Sequence, residues 1–289
     1  MLSAASIARE IRAKALIIQA EALMEPSGSP DVLAAIDLPV VLIARSKPAG
    51  PQTANERHTW ISIPAVQMTR TGLVKVAVLV SLAKGLLRSG DRVVCVTGVD
   101  GSGRLDTIIV LDLGSDPEFF STFEAVDLPE DLRVEAFQRV LEVATHLGVE
   151  GREGRAGGAL FVIGDVAAVE GMSRPLILNP FHGYPETARN ILDPAFEDTL
   201  KAYSSLDGAV LVRGDGTVVT AGVQLVPSRS APPLPHGLGT RHAAAAAITA
   251  CSDAVAITVS ETTGTVSVFK GGRMITDIHR PSASPSLVT

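Results

Sequence analysis

The sequence predicts an α/β protein built from two domains. Three observations lead there. At 289 residues the chain is too long for one comfortable core. Strand-like and helix-like runs alternate over roughly residues 1 to 120. The apolar excess, 46% of the chain with a mean hydropathy of +0.30, is mostly Ala, Val and Leu, as in a sheet buried on both faces.

Met1 to Met24 reads as an amphipathic helix packed on its own domain, because Ile7, Ile11 and Ile18 fall on one helical face. Asp37 to Ala44 has the look of a buried strand, and Ile61 to Pro64 of a short one. Leu73 to Leu87 reads as a helix ended by Ser89-Gly90-Asp91. Arg92 to Thr97 and Thr107 to Leu111 are strands around a turn at Asp100 to Gly103. Phe119 to Asp131 is the joint between domains.

Leu128-Pro129-Glu130-Asp131 opens a helix through His146, which Gly148, Gly151, Gly154, Gly157 and Gly158 then break. Ala159 to Ile163 is a strong strand, Asn179 to Pro185 a loop packed by His182 and Tyr184, and Pro194 to Ser204 a helix. Ala209 to Arg213 and Val218 to Ala221 form a hairpin around Gly214-Asp215-Gly216. His242 to Ala250 is an alanine-rich helix, followed by strands at Ala254 to Val259 and Val266 to Lys270. The Ser/Pro tail after Arg280 reads as disordered.

Composition excludes several classes of function. No apolar run reaches the ~18 to 20 residues that cross a bilayer; Val76 to Leu87 is cut by Lys84 and Gly85. Charges at Arg9, Glu10, Arg12 and Lys14 speak against a secretory signal. A net charge of −6 leaves no basic footprint for nucleic acid. Cys95 and Cys251 sit in apolar surroundings in different domains and read as buried, unpaired thiols of a cytoplasmic protein. His58, His146, His236 and His279 show no ligand spacing, and no Walker-type loop, zinc pattern or Ser/His/Asp arrangement occurs.

Chemistry concentrates in residues 207 to 261. Asp207 precedes Gly208 at the mouth of a strand, where glycine lets a ring or phosphate approach the backbone and aspartate can bind a divalent metal or take a proton. An ordinary helix-to-strand turn would use the same pair. Gly239-Thr240-Arg241-His242 opens the alanine-rich helix, an anion site with free N–H groups, a guanidinium and an imidazole. The bland alternative makes Thr240 an N-cap and Arg241-His242 a solvated first turn, with positive charge set against the helix dipole. Ser260-Glu261 closes a buried strand and fits either a metal ligand or a hairpin turn.

Taken together, Asp207-Gly-Ala-Val-Leu-Val, Ala221-Gly-Val-Gln-Leu-Val-Pro227, Gly239-Thr-Arg-His, Val259-Ser-Glu and Phe269-Lys-Gly-Gly resemble the diadenylate cyclase (DAC) domain of the DNA integrity scanning protein and the membrane-bound bacterial cyclases. The similarity covers roughly residues 130 to 275. Upstream, Gly90-Asp-Arg-Val-Val-Cys-Val-Thr-Gly98 with Thr107-Ile-Ile-Val110 resembles the C-terminal α/β domain of pyruvate kinase, a pairing similar to the soluble archaeal-type cyclases. The resemblance implies a regulatory or oligomerisation domain at 1–125, a DAC domain with a mixed sheet at 126–280, and a tail at 281–289.

It further implies condensation of two ATP into cyclic di-AMP and two pyrophosphates, with Mn²⁺ or Mg²⁺, at two facing DAC domains of a homo-oligomer, without nucleic acid or membrane. Carried onto this chain, Asp207 holds metal and helps deprotonate the 3′-hydroxyl, and Glu261 supports the metal. Gly208 and Leu225 border the adenine, Thr240, Arg241 and His242 hold the triphosphate, and Ala209, Gly239 and Ser260 complete the ATP-binding set. Asp207, Arg241 and His242 are the catalytic set. Family members often read Arg-His-Arg where this chain has Ala243, a loss of ~1.5 to 3 kcal/mol if that arginine makes a charged hydrogen bond. Arg229 is a candidate to compensate. Ala243 also motivates the alternative, a nucleotide sensor on a degenerate DAC scaffold that binds without turnover.

Overall fold

The computed structural model describes residues 1–23, 33, 36–45, 58–99, 102–116, 119–120, 128–151, 157–204, 206–229, 234 and 237–279. The tail after Arg280, most of the joint and the turn at 100–101 therefore lie outside the described residues. Two mixed sheets, each flanked by helices, make the α/β architecture that the sequence predicts.

The first sheet runs β3-β2-β1-β4-β5. Its strands are β1 (Ala15–Gln19), β2 (Val40–Ala44), β3 (His58–Ser62), β4 (Arg92–Thr97) and β5 (Thr107–Asp112). The first four are parallel, and β5 is an antiparallel edge. The central strand β1 falls where the sequence reading has a helix. Helix α1 covers only Leu2–Glu10, and Arg12 turns the chain at φ 55°. The spacing of Ile7, Ile11 and Ile18 mimics a helix, but Leu16-Ile17-Ile18 is an unbroken apolar run that both faces bury. Leu16 and Ile18 face α1, while Ala15 and Ile17 face the opposite layer.

That opposite layer is α2 (Arg70–Ala83), begun by Thr69, whose side chain accepts from the Gly72 N–H. Every residue from Gly72 to Ser81 is buried. A helix apolar on all sides needs protein on all sides, and α2 lies between the first sheet and the second.

The second sheet runs β12-β11-β10-β6-β8-β9-β7. Its strands are β6 (Ala159–Ile163), β7 (Ser173–Pro175), β8 (Ala209–Val212), β9 (Val218–Leu225), β10 (Val255–Val259), β11 (Val266–Lys270) and β12 (Arg273–Ile278). Only β6 and β8 are parallel. Phe161, Ile163, Val210, Val212 and Ile257 face the core shared with α2 and α3 (Val134–Glu150). Leu160, Val162, Leu211 and Ala256 face α4 (Val166–Gly171) and α6 (Thr240–Thr249).

Helix α3 starts later than expected, after Arg133. Pro129 to Leu132 instead form a turn, and the Arg133 N–H donates to the Gly214 carbonyl. Nor does Gly148 break the helix. A Cβ there would lie 2.3 Å from the Gly264 carbonyl oxygen, so glycine lets the 260–265 turn rest on α3. In the 179–185 loop Phe181 does the packing, against Phe196 and Tyr203, whereas His182 and Tyr184 are exposed. Both cysteines are free. Cys95 is buried, and Cys251 is only half-buried beside Ser228.

Helix α5 (Glu197–Ser204) ties to α3 through Glu197, which meets Arg139 at 2.7 Å, His146 at 2.9 Å and Lys201 at 2.7 Å. Burial opposes ionisation of Glu197, but hydrogen bonds from Lys201 and His146 and the charges of Arg139 and Lys201 outweigh it, holding the carboxyl at about 2. A lowered folded value stabilises the native state above the unfolded value of 4.5, and that contribution fades as the pH falls toward 2. Glu197→Gln should cost about 2 kcal/mol in urea unfolding at pH 7, and should flatten the acid limb of the stability profile between those values.

Candidate active site

Four pieces of chain meet at one end of the second sheet. Gly158 enters β6, Asp207 and Gly208 enter β8, Ser260 and Glu261 leave β10, and Gly239 to His242 open α6. The site therefore lies at the amino ends of the parallel pair β6 and β8, and at the carboxyl end of antiparallel β10. Open parallel sheets collect ligands at carboxyl ends; the mixed direction here reverses that for β6 and β8.

Arg241 is the hub. Its Nη1 lies 3.3 Å from Glu261 Oε2, and its Nη2 lies 4.0 Å from Asp207 Oδ1. Two carboxylates thus offset a cation placed against the helix dipole. The guanidinium lies over Gly158, where an added Cβ would come within 2.5 Å of Nη1. Gly158→Ala meets the end of the flexible Arg241 side chain first and Glu261 Cβ at 3.2 Å, so it should shift Tm by no more than about 2 °C, while displacing Arg241 and cutting turnover by about tenfold. Calorimetry and a product assay check the two halves separately.

Gly239 is the N-cap of α6, with no side chain capping the helix and open space around its α-carbon. Thr240 is therefore the first helical residue and not the cap. Thr240, Arg241 and His242 line a cavity of about 500 Å³ with Gly239, Ser260 and Glu261. Its far wall is Thr263, Thr265, Met274, Asp277 and His279. An uncapped helix start with N–H groups facing such a cavity favours an anion.

The remaining predicted residues divide. Asp207 projects fully into solvent, its side chain 97% exposed. Gly208 has φ +95° and lets β9 approach, since a Cβ would lie 2.5 Å from the Val223 carbonyl oxygen. Ala209 buries its methyl in the core beside Leu211 and Val223, so only its backbone can face a ligand. Leu225 is half-buried on β9, and none of these four lines the cavity. His242 is buried edge-on against Phe269, and burial lowers its pKa, favouring the neutral ring. It forms a cavity wall more than it offers a cation.

Sequence reasoning missed the far wall. It ended the strands at Lys270, although Gly271-Gly272 between apolar runs is a hairpin signal that would have found β12. Asp277 and His279 then fall two residues apart on one face. His279 Nε2 meets Asp277 Oδ2 at 3.0 Å. Burial opposes ionisation of Asp277, but the hydrogen bond and charge of Lys75 and the charge of His279 hold its carboxyl below the ordinary range.

A family model described as DisA bacterial checkpoint controller nucleotide-binding matches residues 146–274, and one described as probable sensor domain DacZ_P matches residues 1–120. A diadenylate cyclase of Haloferax volcanii is 34% identical over 262 residues, 89% of this chain and 91% of that protein. The chain belongs to the diadenylate cyclase family. A second relative, the diadenylate cyclase of Methanocaldococcus jannaschii, is 34% identical over 76% of this chain and 71% of its own length. A solved structure of DacA from Staphylococcus aureus aligns at 28% identity over 48% of this chain and 84% of its own, with a TM-score of 0.35. Membership rests on the sequence relatives.

Within this diadenylate cyclase, Ala243 is exposed and does not line the cavity. Arg229 does not line the cavity either. Its carbonyl accepts from Cys251 Sγ beyond the far end of α6, roughly 15 Å along the helix from Thr240.

Among the described residues no three His, Cys, Asp or Glu side chains gather as a metal cage. Asp207 and Glu261 on either side of Arg241 fit an ion that takes one or two carboxylates and completes its shell with phosphate oxygens and water. Among the described residues no helix is long and apolar enough to cross a membrane.

Proposed function

We propose that this chain condenses two ATP molecules into cyclic di-AMP and two pyrophosphates in the cytoplasm, at two copies facing each other. The observation that carries this reading is Arg241, held between Asp207 and Glu261 at the mouth of a cavity that opens on a helix N-terminus. In each half-reaction a ribose 3′-oxygen bonds to the α-phosphorus of the other ATP. The bond from that phosphorus to the bridging oxygen breaks, and pyrophosphate leaves with the electron pair. Asp207 takes the 3′-hydroxyl proton. Arg241 and the amides of Thr240 and Arg241 hold phosphate oxygens, while Ser260 and the wall of His242 fix the pose. Gly208 and Leu225 border the base on the flank of β8. Mg²⁺ or Mn²⁺, held by Asp207 and Glu261, would neutralise phosphate charge when bound.

The exposure of Asp207 supports a second copy. A proton acceptor 97% exposed has no substrate hydroxyl to act on unless something faces it. The exposed apolar run Leu176, Ile177 and Leu178, next to edge strand β7, supports a partner on the same flank. The boundary near residue 125 assigns the first sheet to a regulatory unit and the second to the cyclase. The second reading, a nucleotide sensor that binds without turnover, keeps its motive in Ala243, and a product assay separates the two.

Incubating the full chain with ATP and Mn²⁺ or Mg²⁺, identifying the product by mass, and sizing the protein with and without nucleotide tests the proposal. Cyclic di-AMP from a self-associated species is the expected result. ATP binding without dinucleotide under either metal would overturn it.

A further inference from the structure

The far wall of the cavity is braced by the N-terminal half of the molecule. On α2, Lys75 is buried, and its Nζ lies 2.7 Å from Asp277 Oδ1 on β12. The other Asp277 oxygen is 3.0 Å from His279 Nε2. His279 Nδ1 in turn lies 3.2 Å from Thr265 Oγ1. Thr265 accepts from Thr263 at 2.9 Å, and its carbonyl accepts from the Ser260 N–H, also at 2.9 Å. This is the turn that bears Glu261, the partner of Arg241. An unbroken series of polar contacts therefore runs from α2 to the hub of the site.

Two further contacts bind the same strand to the N-terminal half. A Cβ on Gly72 would lie 3.5 Å from the His279 carbonyl oxygen, so the first turn of α2 rests on the end of β12. Thr276 donates to the Phe119 carbonyl at 2.8 Å. Strand β12 is an edge strand, paired only with β11. With a single hydrogen-bonded neighbour, it takes part of its support from α2. Asp277 and His279 lie beyond residue 274, where the matched nucleotide-binding model stops, and Lys75 lies in the stretch matched as a sensor.

We propose that Lys75 is a positioning residue through which the N-terminal half sets the 260–265 turn, and with it the affinity of the cavity for ATP. Movement of α2 relative to β12 breaks or makes the Lys75–Asp277 pair, which frees or fixes His279 and Thr265. Glu261 then loses or keeps its hold on Arg241. Such coupling is physical only if both ends bias the same element, and the turn is that element. The inference rests on the proposed ATP chemistry for its functional consequence, but not for its structural one.

The test uses the full chain carrying Lys75→Met, Thr265→Val, or both. In nucleotide-free Lys75→Met, amide exchange across 260–265 should rise at least about fivefold while the β6 and β8 amides stay unchanged. The KM for ATP should rise at least about fivefold with kcat within about twofold, and the double variant should be no worse than Thr265→Val alone. Unchanged exchange in the turn, or a rise spread evenly over both sheets, would overturn the proposal. If Lys75→Met does not fold, Asp277→Asn keeps the side-chain shape and answers with the same outcomes. If the wild type makes no cyclic dinucleotide while Lys75→Met still shows the local exchange response, the proposed reaction is rejected and the coupling stands.

Discussion

Asp207→Asn lowers cyclic di-AMP formation by about 10²- to 10⁴-fold, the range for losing a positioned proton acceptor. Its side chain is 97% exposed and its nearest charged partner, Arg241 Nη2, is 4.0 Å away. Little folding energy is at stake in so open a pair, so the thermal midpoint should hold. ATP affinity should change far less than kcat, because Arg241, Thr240 and the cavity wall remain in place. Single-turnover rates and calorimetric ATP binding on one preparation separate these effects. An equal fall in both would move Asp207 from proton transfer to ground-state binding.

Gly208→Ala gives the second large effect, of a different kind. At φ +95° an L side chain is strained, and the new Cβ would meet three backbone atoms of Val223, the nearest at 2.5 Å. Backbone of a paired strand cannot swing aside as the end of Arg241 can for Gly158→Ala. The substitution should cost about 3 kcal/mol or more from strain and overpacking together, read as a lower urea midpoint. Turnover should fall as well, since the same turn carries Asp207. A stable but inactive Gly208→Ala would mean that β9 yields, and that the glycine serves the ligand alone.

Much of the fold was legible because burial on both faces leaves a plain mark. Ala159 to Ile163, Val255 to Val259 and Arg92 to Thr97 are short apolar runs that packing confirms as strands. The N-terminus misled for the same reason. Leu16-Ile17-Ile18 is apolar on every side, and helical spacing can be found in any such run. Around α3, Pro129 and the acids beside it looked like a helix start, yet the Gly214 carbonyl holds them in a turn. A long-range hydrogen bond, from the Arg133 N–H to the Gly214 carbonyl, overrode the local helix signal.

By itself the sequence determined the parts of the site. Gly239-Thr240-Arg241 is a helix start because of its own chain chemistry, and Asp207-Gly208 is a strand mouth because only glycine accepts that backbone. These are local properties, set by a few neighbouring residues. Tertiary structure alone decided what the parts do together. It brought Asp207 and Glu261 to opposite sides of Arg241, buried His242 as a wall, and turned Ala243 outward. It also joined Lys75 to Asp277 across 202 residues of sequence. Convergence and burial depend on strand order and on which surfaces exclude water together, and neither is written in any single stretch of chain.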